Sequence, residues 1–273
     1  FLLRKNLRNT ANCNGKIMQD LSIGIFQLDQ SWHNKMTNFE RIVTQLTSAP
    51  KIDLLLLPEM FHTGFSMELA CADDWQHSEG LLFLKELSSL HQMAIYTSLM
   101  AKDNGQYFNR GVFVYPDGQV KTYDKRKAFG LGGEDQYFSS GNDEVIVSYL
   151  GWNLNLQICY DLRFPELVRN RLNESGAPAY DILLNVANWP QKRIAHWDAL
   201  LKARAIENQS YVLGCNRVGQ DGNNLVYNGH SQAIDLLGNY LLAPHEQDGL
   251  NVVICSGAQL NDGRKMLPFL KDA

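Results

Sequence analysis

A chain of 273 residues that is 45% hydrophobic and 20% charged has the composition of a globular protein with a substantial core. Its formal net charge of -4 gives no electrostatic reason to expect nucleic acid or an anionic membrane as a partner, so a small molecule is the favoured ligand. No run approaches the roughly 18 to 20 apolar residues of a membrane span, which argues against a membrane protein.

Residues 1–17 differ in character from the rest of the chain. They contain four basic residues and no acidic residue, and Met18 directly precedes the first strand-like pattern. We expect this segment to be a leader or an artificial extension that is poorly ordered. No low-complexity linker or break in composition interrupts the remainder, so residues 18–273 are predicted to form a single domain.

Apolar periodicity predicts strands and helices in the first half of the chain. The expected elements are strands at 21–27, 52–57, 94–100 and 111–115, and helices from about Ser31 to about Ser48 and at 79–92. The run at 52–57 is continuously apolar and ends at Pro58, as expected of a strand buried on both faces. Pro116-Asp117-Gly118 indicates a hairpin turn, and a long irregular segment follows it.

The second half repeats the alternation of strand and helix. The expected elements are strands at 145–147, 154–158, 182–187, 211–216, 231–236 and 251–254, and helices from Pro165 to about Asn173 and at 195–208. These patterns predict one α/β domain of about eleven strands, in one large mixed sheet or in two sheets.

Cys159 is a candidate nucleophile. It follows an apolar run that ends at Ile158, and Pro165 can open a helix soon afterwards, so the sulfur is predicted at a strand-to-helix turn. Backbone N–H groups and the positive end of a helix lower a thiol pKa and can hold an oxyanion. The alternative is a buried cysteine that serves as a small apolar residue. The five cysteines are scattered without a C-x-x-C pair, which indicates neither a disulfide framework nor a zinc site and favours a reducing cytoplasm.

A thiol nucleophile needs a base and a group that stabilises the oxyanion. Glu59 directly follows an apolar strand and Pro58, so burial there would raise its pKa into the range of a general base. Lys125 lies in a basic run after the hairpin, and Glu134 follows a glycine-rich loop that could bring a carboxylate close to a ligand. The alternative for Glu59 is a surface or helix-capping glutamate, and the alternative for Lys125 is a solvated basic run.

The histidines offer a rival interpretation. His196, on a predicted helix, could pair with Cys159 in a dyad of the thiol-protease kind, but no cysteine-protease signature surrounds Cys159. We expect His196 to fix a loop or a helix terminus instead. His62 and His77 lack a carboxylate or histidine at ligand spacing, so no metal site is predicted.

Three ordered segments together resemble the catalytic blocks of the nitrilase superfamily of carbon–nitrogen hydrolases. They are Pro58-Glu59-Met60-Phe61-x-Thr63-Gly64-Phe65, Tyr123-Asp124-Lys125-Arg126 and Cys159-Tyr160-Asp161-Leu162-Arg163-Phe164-Pro165-Glu166. The likeness continues through Asn185-Val186-Ala187-Asn188-Trp189-Pro190, Ala203-Arg204-Ala205-Ile206-Glu207-Asn208-Gln209 and Asn216-Arg217-Val218-Gly219-x-Asp221-Gly222. It covers about Ile23 to Phe269.

The resemblance implies a four-layer α-β-β-α sandwich, no cofactor, and a homodimer or larger homo-oligomer. It also implies roles for five residues. Cys159 attacks the amide carbon, Glu59 is the general base and later the acid, and Lys125 with the Tyr160 backbone N–H stabilises the oxyanion. Glu134 resembles the further acidic residue that orients the lysine and the water.

Asn188-Trp189-Pro190 and the Gly132-Gly133-Glu134 loop are most similar to the omega-amidase branch, which hydrolyses the distal amide of 2-oxo dicarboxylic acid monoamides. The chain departs from the pattern at Lys127, where close relatives usually have histidine, and at Leu236, where many have proline. Lys127 could alter the pocket entrance or its charge. The alternatives are hydrolysis of a nitrile, an N-carbamoyl amine or a deaminated glutathione amide, and a non-enzymatic oligomeric binding protein.

The substrate pocket is predicted only in outline. Four aromatic side chains are candidate walls: Phe61, Phe65, Phe129 and Trp189. The cations nearest the motifs are Arg163, Lys127 and Arg193, and we expect Arg163 to be a structural partner of Glu166 or of another acid.

Overall fold

The strands of the chain form two stacked sheets. The computed structural model describes residues 18–272, so the leader or extension predicted at 1–17 lies outside the described residues. The described strands are β1 (Leu21–Gln27), β2 (Leu54–Leu56), β3 (Asp73–Asp74), β4 (Ala94–Asp103), β5 (Gln106–Val114), β6 (Val120–Asp124), β7 (Ile146–Tyr149), β8 (Trp152–Ile158), β9 (Ile182–Val186), β10 (Tyr211–Cys215), β11 (Val218–Gln220), β12 (Val226–Asn228), β13 (Gln232–Ile234), β14 (Tyr240–Leu242) and β15 (Gly249–Cys255).

The helices cover the outer faces of the sheets or connect their strands. The α-helices are α1 (Lys35–Thr47), α2 (Glu79–His91), α3 (Glu134–Tyr137), α4 (Ile194–Asn208) and α5 (Gly257–Met266). Short 3-10 helices occur at Leu69–Cys71, Trp75–His77, Gly130–Gly132, Cys159–Arg163, Pro165–Leu167, Gln191–Arg193 and Phe269–Asp272. Among the described residues, no helix is both long and apolar enough to cross a membrane.

Each sheet combines parallel and antiparallel pairs. The first has the order β15-β1-β2-β4-β5-β6, with β3 paired to β4, and the second has the order β14-β13-β10-β9-β8-β7. In the first, β2 is parallel to both neighbours, with Ile23 opposite Leu54 and Leu54 opposite Ala94. In the second, β8, β9 and β10 are parallel and carry Leu156, Leu184 and Leu213 side by side.

The alternation of side chains in β2 shows why this run is continuously apolar. Leu54 and Leu56 pack between the two sheets, whereas Leu55 and Leu57 pack under α1 and α2 on the outer face. Successive strand residues face opposite sides, so a strand covered on both sides needs apolar residues at every position. Helix α4 covers the second sheet with Trp197, Leu201 and Ala205, among others. The predicted four-layer α-β-β-α sandwich is therefore confirmed.

Three details of the predicted elements are wrong. The helix expected from Pro165 to about Asn173 is only a short 3-10 helix that ends at Leu167. The Asn170 N–H donates to Asn208 Oδ1 and its Nδ2 donates to the Tyr180 carbonyl, and these bonds keep the chain from continuing as a helix. Helix α1 begins at Lys35, after a cap by the Asn34 side chain, rather than at about Ser31. The described residues contain fifteen strands rather than about eleven, since several are only two or three residues long and carry no readable alternation.

Candidate active site

Cys159 lies at a sharp turn directly after β8. Its φ of 45° is in the left-handed region that non-glycine residues seldom adopt, and a 3-10 helix, Cys159–Arg163, begins at this residue. The buried Asp161 side chain stabilises this turn by accepting a hydrogen bond from the Ile158 N–H at 3.1 Å. The backbone thereby directs the sulfur out of the sheet at the end of the strand.

Glu59 comes three residues after β2 ends and is fully buried. Its Oε1 accepts hydrogen bonds from Lys125 Nζ at 2.9 Å and from Asn109 Nδ2 at 2.7 Å. Its Oε2 accepts the backbone N–H of Asn188, which follows β9 of the other sheet, at 2.9 Å. Glu59 therefore joins the two sheets at the ends of their central strands.

Lys125 directly follows β6, and its ammonium group is enclosed by carboxylates. Besides Glu59, Lys125 Nζ contacts Glu134 Oε1 at 3.0 Å and Oε2 at 2.8 Å. Burial opposes the charge, but the charges of Glu134 and Glu59 outweigh it and hold the pKa of Lys125 well above its ordinary value. The lysine is thus a fixed cation.

Glu134 is placed by the glycine loop before it. Gly133 has a φ of 76°, which glycine adopts without strain, and α3 begins at the next residue. Glu134 Oε2 also accepts the Phe129 N–H at 2.6 Å, which closes the loop around the carboxylate. The side chain is buried behind Lys125.

Asn109, on β5, is a member of the cluster that sequence reasoning missed. Its Nδ2 donates to Glu59 Oε1 at 2.7 Å and to Glu134 Oε1 at 2.9 Å. The backbone carbonyl of Asn109 accepts the backbone N–H of Lys125 at 3.0 Å. It was missed because the predicted strand began only at Gly111, two residues after Asn109.

The pKa of the Cys159 thiol differs from the value expected from the sequence. Burial, and next the charge of Glu59, raise its pKa well above the ordinary value, while Lys125 opposes the shift. The expectation of a lowered thiol pKa is therefore wrong, because the thiol is buried and a carboxylate lies close to the sulfur. The α-helix expected to begin at Pro165 is also absent. Attack by this sulfur requires a base in the site.

These side chains face a cavity of about 650 Å³. Seven of the nine residues predicted for the site line it: Glu59, Lys125, Cys159, Tyr160, Phe65, Phe129 and Trp189. Glu134 stands behind them. Phe61 does not line the cavity, which corrects its prediction as a pocket wall: its ring packs against Phe39 at 5.9 Å in the core beneath α1.

The rival candidates lie in other surroundings. His196 is exposed, and its Nδ1 is 3.2 Å from Arg163 Nη1, with no hydrogen bond to Cys159 among the described residues. His62 is buried 3.6 Å from Asp73, whereas His77 is exposed near Asp74. Within residues 18–272, no group of three or more His, Cys, Asp or Glu side chains is arranged to hold a metal ion.

Two mixed sheets between helical layers, with a cysteine, two glutamates and a lysine meeting at the strand ends, define a cysteine hydrolase of the nitrilase type. Residues 22–261 match the carbon–nitrogen hydrolase family, and the chain belongs to that family. The chain is 38% identical to omega-amidase YafV of Escherichia coli K12 over 258 residues, 94% of this chain and 98% of the relative. It is 32% identical to 2-oxoglutaramate amidase of Bacillus subtilis over 257 residues, 92% and 96% of the two chains.

The fold also matches a solved structure closely. A CN-hydrolase superfamily protein from Xanthomonas campestris, with an arsenic adduct in its active site, superposes with a TM-score of 0.91 at 36% identity. The match covers 94% of this chain and 98% of that one. The predicted membership of the nitrilase superfamily and of its omega-amidase branch is confirmed, as is the prediction of an amide-hydrolysing enzyme.

Proposed function

We propose that the protein hydrolyses the distal amide of small 2-oxo dicarboxylic acid monoamides, such as 2-oxoglutaramate and 2-oxosuccinamate, to the acid and ammonia through a cysteine thioester. The observation that carries this proposal is the buried bridge of Lys125 between Glu59 and Glu134, on a cavity that also contains Cys159. The names of the Escherichia coli and Bacillus subtilis relatives support the substrate class.

The first half of the reaction forms the thioester. Cys159 Sγ attacks the amide carbon while Glu59 takes the thiol proton, a transfer made necessary by the raised thiol pKa. The negative charge moves to the amide oxygen, where the ammonium of Lys125 and the backbone N–H of Tyr160 stabilise it. Each such donor contributes roughly 3 to 4 kcal/mol at the transition state. The C–N bond then breaks, and Glu59 returns its proton to the leaving ammonia.

The second half regenerates the thiol. Glu59, again a carboxylate, takes a proton from a water molecule as the water oxygen attacks the thioester carbon. Collapse of the second tetrahedral intermediate releases the carboxylic acid, and Glu59 gives the proton back to the sulfur. Glu134 holds Lys125 in place and helps to orient the water. Every step uses a group of this chain, and the proposal assigns no cofactor or metal.

The first experiment measures ammonia release from 2-oxoglutaramate and 2-oxosuccinamate by the wild type and by Cys159→Ala. Glutamine, an N-carbamoyl amine, a simple nitrile and deaminated glutathione serve as comparison substrates. We expect fast turnover of the oxo-amides that is lost in Cys159→Ala. Preferred turnover of a comparison substrate would contradict the proposed substrate class, and full ammonia release by Cys159→Ala would contradict the mechanism.

We further propose that residues 18–273 form a single domain, that the protein acts in the cytoplasm, and that it associates as a homodimer or larger homo-oligomer. The four described cysteines are free, which suits a reducing compartment. Ile254 on the edge strand β15 is 61% exposed, as expected of a residue covered by a second copy. Sedimentation of the wild type and of Ile254→Lys measures the oligomeric state, and a monomeric wild type would contradict the last proposal.

A further inference from the structure

The side chain of Asn216 continues the pairing of β9 and β10 past the ends of the two strands. Strand β10 ends at Cys215, whose carbonyl accepts the Ala187 N–H at 2.8 Å. Asn216 comes next and is fully buried. Its Oδ1 accepts the Trp189 N–H at 2.7 Å, and its Nδ2 donates to the carbonyls of Trp189 at 2.9 Å and Gly229 at 2.7 Å. One side-chain amide therefore satisfies both backbone groups of Trp189.

These bonds fix the direction of the peptide unit between Asn188 and Trp189. In a trans peptide the N–H and the C=O point to opposite sides, and the described residues contain no cis peptide bond. Because the Trp189 N–H points to Asn216, the Asn188 carbonyl points away from it. The Asn188 carbonyl oxygen accepts from Cys159 Sγ at a distance of 4.0 Å. Asn216 thus determines which side of this peptide faces the candidate nucleophile.

Asn188 also binds the candidate general base. Its backbone N–H donates to Glu59 Oε2 at 2.9 Å, and its Nδ2 donates to the Glu59 backbone carbonyl at 2.5 Å. The other carboxylate oxygen, Oε1, is held by Lys125 and Asn109. A movement of residues 188 and 189 would therefore displace the base and change the surroundings of the sulfur together.

The Trp189 ring has anchors of its own. Its Nε1 donates to the Arg193 carbonyl at 2.8 Å. The guanidinium carbon of Arg163 lies 4.5 Å from the centre of the ring. Arg163 forms no ion pair with a carboxylate of residues 18–272, so its expected pairing with Glu166 or another acid is wrong. The ring forms a wall of the cavity and does not depend on Asn216 alone for its position.

We propose that Asn216 is a positioning residue for amide hydrolysis. By holding the peptide between residues 188 and 189, it keeps Glu59 and Cys159 aligned for reaction. Asn216 forms no hydrogen bond to the carboxylate or to the sulfur, so it acts through the residues that it holds. This inference rests on the proposed function, from which it takes the roles of Glu59 and Cys159, and deepens it by adding a residue that controls their geometry. Small displacements of reacting groups are costly in rate.

A similar arrangement at the other end of β9 offers a matched control. Asn170 Oδ1 accepts the Tyr180 N–H at 3.3 Å, and its Nδ2 donates to the carbonyls of Tyr180 and Asn208, each at 3.0 Å. Asn170 is also fully buried. Tyr180 precedes β9, whereas Trp189 follows it, on the side where β8 ends at the candidate nucleophile. Replacing Asn170 removes the same three kinds of hydrogen bond away from the active site.

The test replaces each asparagine by leucine, which has a similar size and no side-chain hydrogen-bonding group. Steady-state kinetics with 2-oxoglutaramate give kcat and KM for the wild type, Asn216→Leu and Asn170→Leu, and thermal unfolding gives the Tm. Mass spectrometry after treatment with iodoacetamide gives the pH midpoint of alkylation at Cys159, a quantity that requires no turnover. Asn216→Asp tests rescue, because it keeps an acceptor for the Trp189 N–H and lacks the Nδ2 donors.

We expect Asn216→Leu to lower kcat by about 10- to 100-fold, because the base and the nucleophile lose their alignment. KM should change less than about threefold, since the Trp189 ring keeps its anchors. Asn170→Leu should lower the Tm by a similar amount, with kcat within about threefold of the wild type. Asn216→Asp should have a kcat at least about fivefold above that of Asn216→Leu, because one directing hydrogen bond remains.

The alkylation midpoint distinguishes positioning from a simple loss of stability. The Asn188 carbonyl presents the negative end of its dipole to the sulfur, which disfavours the thiolate, and the charge of Glu59 acts in the same direction. Once the peptide can turn and the carboxylate can move away, the midpoint in Asn216→Leu should fall by about half a pH unit or more. In Asn170→Leu it should stay at the wild-type value.

The outcomes separate this inference from the proposed function. Equal losses of kcat in the two leucine variants would overturn the positioning role, as would an unchanged kcat and midpoint in Asn216→Leu. A midpoint that falls only in Asn216→Leu, without turnover of 2-oxoglutaramate by the wild type, would support the positioning role and overturn the proposed function. Turnover by the wild type that Asn216→Leu leaves unchanged would do the reverse.

A second pair of variants covers a failure of Asn216→Leu to fold. Asn216→Ser and Asn170→Ser then replace the leucine variants, because a serine hydroxyl is too short to reach both backbone groups of the clamped residue. The same differences in kcat and in the alkylation midpoint between the two serine variants support the positioning role, and equal values overturn it.

Discussion

Asp161 Oδ1 accepts the backbone N–H of Lys127 at 2.9 Å, which helps to connect the two segments that carry the candidate nucleophile and the candidate lysine. Oδ2 of the same carboxylate accepts the N–H of Ile158 and, at 2.8 Å, the hydroxyl of Tyr123. The carboxylate thus fixes the turn at Cys159 relative to the segment around Lys125. Asp161 forms no hydrogen bond to the sulfur or the ammonium, so we expect it to act by positioning them.

Asp161→Asn should impair this positioning, because an amide presents N–H donors to groups that already donate. We expect kcat with 2-oxoglutaramate to fall by about 10- to 100-fold, in the range found when catalytic groups are slightly displaced. Steady-state kinetics measure the effect, with Lys127→Gln as a control that keeps the backbone N–H. A variant with unchanged kcat would show that the turn does not need this carboxylate.

The same residue predicts a pH dependence of stability. Burial raises the pKa of Asp161 to about 6 from its ordinary 3.8, so between these values the folded state binds more protons than the unfolded state. Its contribution to the free energy of unfolding is therefore complete below about pH 4 and falls as the pH rises to 6. By linkage the change amounts to about 3 kcal/mol at most.

Urea denaturation of the wild type and of Asp161→Asn at several pH values between 4 and 7 tests this dependence. Asparagine does not titrate, so the stability advantage of the wild type over the variant should shrink as the pH rises. A difference that stays constant or grows with pH would contradict the assignment.

Lys125→Met should lower kcat/KM by roughly 100- to 1,000-fold, the cost of losing one oxyanion donor. It also leaves two buried carboxylates without their cation, which destabilises folded proteins by about 3 to 5 kcal/mol. We expect a lower Tm together with the loss of activity, and calorimetry with kinetics at a temperature where the variant is folded separates the two. Near-normal turnover by the folded variant would exclude Lys125 from the reaction.

Glu59→Gln and Lys125→Met should change the thiol in opposite directions. The charge of Glu59 raises the pKa of Cys159, and that of Lys125 opposes the rise. We therefore expect the pH midpoint of alkylation by iodoacetamide to fall in Glu59→Gln and to rise in Lys125→Met, although both variants lose amide hydrolysis. Mass spectrometry of the modified protein measures the midpoints. Shifts of the same sign would refute this account of the site.

Asn109→Leu should loosen both glutamates at once. The substitution removes the Nδ2 donor shared by Glu59 and Glu134, at a cost of about 1 to 3 kcal/mol for the buried acceptors. We expect a fall in kcat of about tenfold or more, because the general base loses a constraint on its position. Urea denaturation and steady-state kinetics measure the two effects. A loss of stability with unchanged kcat would confine Asn109 to a structural role.

The placement of Glu59 and Cys159 near the ends of strands could be predicted from the sequence. An apolar run that ends at a polar side chain marks the edge of a sheet, so these two positions could be recognised from neighbouring residues alone. Phe61 could not be placed in this way. Met60 has a φ of 45°, which turns the chain so that Phe61 points into the core rather than toward Cys159.

Contacts between distant segments explain why the sequence did not predict the role of Asn109 or the path of the chain after Pro165. Asn109 meets Glu59 across 50 positions of sequence, and nothing near either residue announces the pairing. The path after Pro165 is fixed by the bond between Asn170 and Asn208, 38 positions apart, which overrides a locally plausible helix. Such partners become visible only when the sheets have brought them together.

Two glutamates surround Lys125, and their combined charge affects the release of the product. An amide is neutral when it reaches Lys125, Glu59 and Glu134, but hydrolysis turns it into a second carboxylate beside a cluster whose formal charge is already negative. The product carboxylate is thus repelled from the place where it was formed. With the proposed mechanism, this repulsion favours release of the product carboxylate from the cluster and leaves the site ready for the next neutral amide.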